Sequence, residues 1–294
     1  SSFNQNIGSW NTGSVTDMSG MFMNASAFNQ PVGDWNTGSV VDMSGMFESV
    51  SAFNQPIGEW NTGSVADMNG MFRSASAFNE PVGAWNTGSV TDMSGMFESV
   101  SAFNQPIGEW NTGSVADMNG MFRSASAFNQ PIGEWATGSV ADMSGMFESA
   151  SAFNQPIGEW DTDSVTDMSS MFESASEFNY NITDWSSASL TTDMFLDATA
   201  WLGRFARKDG EDTTDGPPSK WGEPCGNEWY DATFEEKCEP RVNGIEVKGC
   251  NSTCGIKDNW RCDNFDLLRP PGDDLDSYNC TCDNPAGTYA SPDL

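Results

Sequence analysis

Apolar residues recur along the first two thirds of the chain in one fixed pattern. Phe3, Phe28, Phe53, Phe78, Phe103, Phe128, Phe153 and Phe178 lie 25 residues apart, and so do Trp10, Trp35, Trp60, Trp85, Trp110, Trp135, Trp160 and Trp185. A fixed period of this length marks a stacked repeat, in which each unit has an apolar side that only its neighbour can cover. From Ser14 to Trp35 the apolar positions are Val15, Met18, Met21, Phe22, Ala25, Phe28, Val32 and Trp35. The steps from Met18 to Phe28 are 3, 1, 3 and 3, which predicts a short helix or 3₁₀ segment with Asp17 at its N-cap. Ser14 to Asp17 predicts a strand of about three or four residues. Pro31 to Trp35 reads as extended, and Asn36-Thr37-Gly38 as a turn. Each unit is therefore strand, short helix, extended segment, turn. With parallel pairing at about 4.8 Å, eight such coils would form a rod about 38 Å long. The Trp, Phe and Met residues are expected to fill the core, an exposed sugar-binding stripe being the alternative.

In a stack each position becomes a column of like side chains. Asp17, Asp42, Asp67, Asp92, Asp117, Asp142 and Asp167 form an acidic column. Like charges about 5 Å apart repel unless neutralised. Two readings follow, a row of N-caps satisfied by backbone N–H groups, or a Ca²⁺ ladder of carboxylate oxygens. Glu48, Arg73, Glu98, Arg123 and Glu148 alternate in sign, as register-setting ion pairs would. Asn29, Asn54, Asn79, Asn104, Asn129, Asn154 and Asn179 form a column expected to be buried, satisfying backbone groups between coils. Thr12/Ser14, Thr37/Ser39, Thr62/Ser64 and their successors form a hydroxyl array, read either as solvated turn residues or as an ice-ordering face. Residues 51–79 and 101–129 are identical, which points to duplication of a two-unit block.

Composition narrows the function. The chain has 294 residues, 42 acidic against 12 basic side chains, a net charge of −30 and no histidine. Histidine-dependent triads and His-ligated metals are excluded, and phosphate backbones are poor partners. Low content of ordinary aliphatic residues would suggest disorder, but 16 Met and 12 Trp supply the missing core material. No run of 18 apolar residues could span a bilayer, and no signal peptide is visible at Ser1. The carboxylates recur in such uniform settings that none is singled out for catalysis, so the chain is read as non-enzymatic.

Three regions are expected: repeats over 1–202, a linker over 203–224 and a Cys-rich module over 225–294. The first begins inside a coil with no polar cap, an end read as lacking upstream repeats or as docking onto another subunit. It closes with a shortened ninth coil from Leu190 to Trp201. The linker carries Gly210, Gly216 and Pro217-Pro218. All seven cysteines follow it: Cys225, Cys238, Cys250, Cys254, Cys262, Cys280 and Cys282. Clustered cysteines with little apolar content suggest a disulfide-stapled module, and the odd number leaves one free or paired outside it. An all-Cys zinc site is the rival reading. Four N-x-S/T sequons occur, at Asn24, Asn181, Asn251 and Asn279.

The string MFxxAxxFNQPIGxWNTGSVxDMSxMF resembles the bacterial surface protein repeat of the BspA-like family, over about residues 1–200. That resemblance implies a leucine-rich-repeat-like solenoid on a secreted or surface protein, often adhesive, with no catalytic residues to transfer. Together with the sequons and cysteines it yields an extracellular reading. The chain is expected to be a structural glycoprotein, a filament or appendage subunit that associates with itself or with other extracellular structural proteins. A cell-surface adhesin for protein or glycan ligands is the alternative, and an ice- or mineral-binding solenoid a minor one. Apart from the Ca²⁺ ladder no cofactor is expected. Reducing agent should perturb only the Cys-rich region, leaving the far-ultraviolet circular dichroism of the repeats unchanged; collapse of that signal on reduction alone would contradict the division into two parts.

Overall fold

The computed structural model describes residues 1–186, 188–208, 214–222 and, beyond them, only the paired strands named below. It divides into two units, Ser1–Trp221 and Gly222–Leu294.

The first unit is a stack of 25-residue coils in parallel register. Single parallel bridges link Asp17 to Asp42, Asp42 to Asp67 and so on to Asp167, which bridges Leu190. The expected strand thus contracts to one bridging residue per coil. The expected helix is absent as well. Met18 to Phe28 runs through consecutive turns, because every fourth residue has left-handed backbone: Gly20 at φ 58° and Asn24 at φ 62°. Each is third in a four-residue turn, closed by Met21 N–H to the Met18 carbonyl at 3.2 Å and by Ala25 N–H to the Phe22 carbonyl at 2.8 Å. That is the type II arrangement, which favours glycine at the third position. Apolar steps of three and four fit this chain of turns as well as they fit a helix, so periodicity alone could not separate them.

Alternate N–H groups leave the coil altogether. Those of Met18, Gly20, Phe22 and Asn24 donate to the carbonyls of Asp42, Ser44, Met46 and Glu48 at 2.8–2.9 Å. Met21, Met23 and Ala25 N–H groups donate within their own coil. Every backbone donor from Met18 to Asn24, Ser19 included through Asp17 Oδ1, is therefore satisfied without a helix or a continuous strand.

This spacing stacks like side chains on like. Phe47, Phe72, Phe97, Phe122 and Phe147 are fully buried, as are Phe53, Phe78, Phe103, Phe128 and Phe153. The two columns interleave, with Phe47 and Phe53 centroids 3.9 Å apart and Phe47 and Phe72 5.6 Å apart. Trp60 and Trp85 stack at 6.4 Å and 4°, and each interior indole N–H donates to a carbonyl 28 residues earlier, Trp60 to Val32 at 3.1 Å. From the second coil onward the column Phe and Trp residues are core, and the indoles from Trp35 to Trp185 are partnered, whereas Phe3 and Trp10 of the first coil are exposed and the Trp201 and Trp221 indole N–H groups in the cap are buried without a partner among the described residues. The exposed-stripe reading is set aside for the interior coils. Each large apolar side chain so buried contributes about 1.5–3 kcal/mol.

The stack ends in a cap. The ninth coil places Trp201 in the Phe column, 5.8 Å from Phe178. It carries helix α1 (Thr199–Arg204), followed by strand β1 (Ala206–Arg207), a 3₁₀ turn (Pro218–Lys220) and strand β2 (Trp221–Gly222), with β1 paired to β2. Phe195 N–H donates to the Thr214 carbonyl, as Phe172 N–H does to Met194 one coil earlier. Trp221 meets Phe195 and Trp201 edge-on, at 64° and 65°, so the parallel stacking ends there. Phe205, Arg207 and Trp221 are buried. The segment expected as a free linker is therefore, over its described residues up to Trp221, part of the first unit.

In the second unit the described residues form three two-stranded antiparallel pairs: β3 (Pro224–Cys225) with β4 (Glu228–Trp229), β5 (Arg241–Val242) with β6 (Ile245–Glu246), and β7 (Trp260–Cys262) with β8 (Cys280–Cys282).

Close approach between coils fixes a second glycine column. A Cβ on Gly58 or Gly108 would sit 2.6 Å from the carbonyl oxygen of Pro81 or Pro131 in the next coil. Gly108→Ala should therefore destabilise the first unit by about 1–3 kcal/mol through overpacking. Gly203→Ala, which meets nothing within 4 Å, should leave the urea midpoint unchanged or raise it; equal midpoints for the two variants would refute the close-approach argument.

Candidate functional site

The surface of the stack is a set of columns, and each candidate residue takes its meaning from the column it joins. Along the Asp column every Oδ1 accepts the backbone N–H two residues on, at 2.8 Å: Ser19 for Asp17, Ser44 for Asp42, Asn69 for Asp67, Ser94 for Asp92, Asn119 for Asp117, Ser144 for Asp142 and Ser169 for Asp167. Serine adds its hydroxyl at 2.6–2.7 Å in coils such as those of Asp17, Asp42, Asp92 and Asp142. These aspartates are turn caps rather than helix N-caps, since no helix follows. Among the described residues no group of three or more His, Cys, Asp or Glu side chains is placed to hold a metal ion. The calcium ladder thus finds no coordinating cluster there.

Two of the aspartates differ. Burial pushes the Asp67 and Asp117 carboxyls above the ordinary range, against the N–H of Asn69 or Asn119, and with help from the neighbouring charges Asp92 and Asp42, or Asp92 and Asp142. Asp17 lies below that range, held down first by the Ser19 hydroxyl and then by the Ser19 N–H. Asn69 and Asn119 instead reach forward, each donating Nδ2–H to the carbonyl and hydroxyl of the next coil's serine, Ser94 or Ser144.

The other columns are largely structural. Each Asn Oδ1 accepts the backbone N–H of the Asn in the next coil, Asn54 to Asn29 at 3.0 Å and Asn129 to Asn104 at 3.0 Å. The column is half-buried to exposed rather than buried. A neighbouring glutamine column, which sequence reasoning passed over, uses the same oxygen: Gln55 Nε2–H donates to Asn29 Oδ1 at 2.9 Å. Arg204 closes the ladder by donating to the Asn179 carbonyl at 2.7 Å. The threonines Thr37, Thr62, Thr87, Thr112 and Thr137 are at most 1% exposed. Their hydroxyls donate to carbonyls of the next coil, Thr37 to Asn61 at 3.0 Å. Neither the solvated-turn nor the ice-ordering reading survives for these threonines, because the hydroxyls face inward and are bonded. In the alternating column the pairs run forward, Arg73 to Glu98 at 3.0 Å and Arg123 to Glu148 at 2.8 Å, with Glu98 also 3.9 Å from Arg123.

The most exposed charged column was also passed over. Asp34, Glu59, Glu109, Glu134, Glu159 and Asp184 each precede a column tryptophan and are exposed. The signal was present in the sequence as the residue before six of the eight column Trp, Ser9 and Ala84 being the exceptions.

Among the sequons, Asn24 and Asn181 are exposed, while Asn251 and Asn279 lie outside the described residues. So do Cys238, Cys250 and Cys254. Cys225 lies on β3, and Cys262 on β7 stands opposite Cys280 on β8, with Cys282 opposite Trp260.

The family model described as Mycoplasma protein of unknown function, DUF285, matches residues 1–107 and again 91–206. The chain belongs to this family. The two matches of the DUF285 model overlap, as expected where a repeat runs longer than the model, and they extend through helix α1. No curated protein and no solved structure matches the chain. Among the described residues no helix is long and apolar enough to cross a membrane.

The raised carboxyls carry a pH signature. Folded Asp67 and Asp117 bind their protons more tightly than the unfolded chain does. Their contribution to stability is full below the unfolded value, about 3.9, and is lost as pH rises through the folded value. Asp17 acts oppositely, its contribution being lost as pH falls through its lowered value. In the double variant Asn69→Ser/Asn119→Ser a hydroxyl would serve each carboxylate, as Ser19 serves Asp17. The Tm difference between wild type and variant should therefore move in favour of wild type on acidification from neutrality; a difference flat with pH would remove the linkage.

Proposed function

We propose that the chain is a non-enzymatic extracellular structural protein. In this reading it is a subunit of a cell-surface filament or appendage, built on a leucine-rich-repeat-like solenoid of the bacterial surface protein kind and followed by a disulfide-bonded Cys-rich module. The observation that supports it most is uniformity. From coil to coil the same backbone bonds, aromatic stacks and polar ladders recur, and even the two divergent aspartates, Asp67 and Asp117, share one setting, so among the described coils no single residue is set apart as chemistry would need. Columns bonded from coil to coil suit a rigid spacer, and self-association or contact with other extracellular structural proteins is its expected use.

A second reading, adhesion to a protein or glycan through a lateral face, is favoured by the exposed carboxylate column from Asp34 to Asp184. It offers a ligand one surface repeated in every coil of that stretch but the one carrying Ala84, and a face of that charge suits cationic partners best.

Negative-stain electron microscopy of natively purified protein separates the two. Ordered fibres that persist in chelator are expected, since the Asp column is already served by its own turns. Fibres that dissolve in chelator would restore a calcium-bridged assembly. Isolated short rods under both conditions would sink the filament reading and leave adhesion.

A further inference from the structure

We propose that Asn181 is the attachment site of an N-linked glycan, and that packing within the stack confines such a site on this column to the eighth coil. The inference deepens the extracellular reading and rests on it for the modification to occur in nature. In the first coil this column reads Asn6-Ile7-Gly8, in the next six Pro-Ile-Gly or Pro-Val-Gly, from Pro31-Val32-Gly33 to Pro156-Ile157-Gly158, and in the eighth Asn181-Ile182-Thr183. In the first coil the Asn is present, but a Cβ on Gly8 would lie 2.8 Å from Pro31 O. A sequon needs Ser or Thr at the third place. In earlier coils a side chain there is barred by the next coil, because a Cβ would lie 2.6 Å from Pro81 O at Gly58, 2.6 Å from Pro131 O at Gly108 and 2.8 Å from Asn181 O at Gly158. The coil that follows Thr183 is shortened, and Thr183 is accommodated half-buried.

The local geometry suits the product. Ile182 is 1% exposed and anchors the triplet to the core, whereas Asn181 is exposed. Asn181 Oδ1 accepts both the Thr183 N–H at 2.9 Å and the Thr183 hydroxyl at 2.8 Å, an Asx turn. These bonds hold the amide through its oxygen and leave Nδ2, the atom a glycan occupies, outside them. Asn24 is placed differently. Its backbone is left-handed, its N–H donates to Glu48, and the hydroxyl of its sequon Ser26 donates to the Ser1 carbonyl.

The donor is a lipid-pyrophosphate-linked oligosaccharide. Asn181 Nδ2 forms a bond to the anomeric carbon, the carbon–oxygen bond to the lipid pyrophosphate breaks, and the amide proton is released. Secretion of the full chain from a eukaryotic culture behind an added, cleaved signal ensures that it meets this donor whatever its native route. Peptide mapping by mass spectrometry, with and without peptide N-glycosidase, then reads each sequon. Asn181 should be converted to Asp by the enzyme in most molecules. Asn181→Gln and Thr183→Ala should lose that conversion while remaining secreted and folded, and Thr183→Ser should keep it. An unmodified Asn181 in folded, secreted protein overturns the proposal. If the secreted chain carries the glycan at Asn181 and natively purified protein does not, the site stands and the extracellular reading falls.

Discussion

The structure depends on an alternation in where backbone N–H groups go. Between Met18 and Asn24, and at the same places in later coils, every second donor crosses to the next coil while most of the rest close turns in their own. Neither set suffices alone. Turns without the crossing bonds would leave half the donors unsatisfied next to an apolar core, and crossing bonds without the turns would not bring Met, Phe and Trp to one side. The left-handed residues at positions such as Gly45 and Ser49 are the steric condition for both. Serine at φ near 60° costs energy that glycine would not, and the crossing bond its N–H makes, Ser49 to the Arg73 carbonyl at 2.7 Å, offsets it.

Once the crossing bonds set the register, each side chain meets its own kind. For aromatic residues this is favourable, because near-parallel offset rings pack densely and each interior column indole finds a carbonyl. Among the described residues only in the cap, at Trp201 and Trp221, is a buried indole N–H left without a partner. For asparagine it is also favourable, because the side-chain oxygen of one coil accepts the backbone N–H of the next. For aspartate it is costly: every carboxylate of the column takes the N–H two residues on, a serine hydroxyl adds a second bond in some coils, and Asp67 and Asp117 lack that addition because the asparagine side chain there is committed to the neighbouring coil. Asn69 and Arg73 both reach forward onto one coil, as do Asn119 and Arg123, so the fifty-residue duplication seen in the sequence is also a pairing of coils.

A stack of this kind restricts function by position. Interior columns are committed to the ladders, which is why the threonine hydroxyls are not a surface and why Gly58 cannot become a sequon threonine. Freedom returns only on outward columns, such as the residues before each Trp, and where the repeat stops. The cap shows what stopping requires: Thr214 supplies a carbonyl where a further coil would have done so, Arg204 takes the end of the asparagine ladder, and Trp221 turns edge-on to finish the aromatic stack.

The amino-acid sequence by itself determined the period, the number of coils, the identity of the core and the make-up of every column, because a translation by 25 residues puts like beside like whatever the local backbone does. The ladder role of Asn29 and its successors was legible for the same reason. The backbone inside the coil was not. Steps of three and four residues suit a helix and a run of type II turns equally, and only the crossing bonds select the second. Nor did the sequence decide which hydroxyls face inward, why Gly58 and its counterparts must lack a side chain, or that the segment up to Trp221 belongs to the stack. Each of those depends on what the neighbouring coil places within a few ångströms, and that distance exists only in the folded stack.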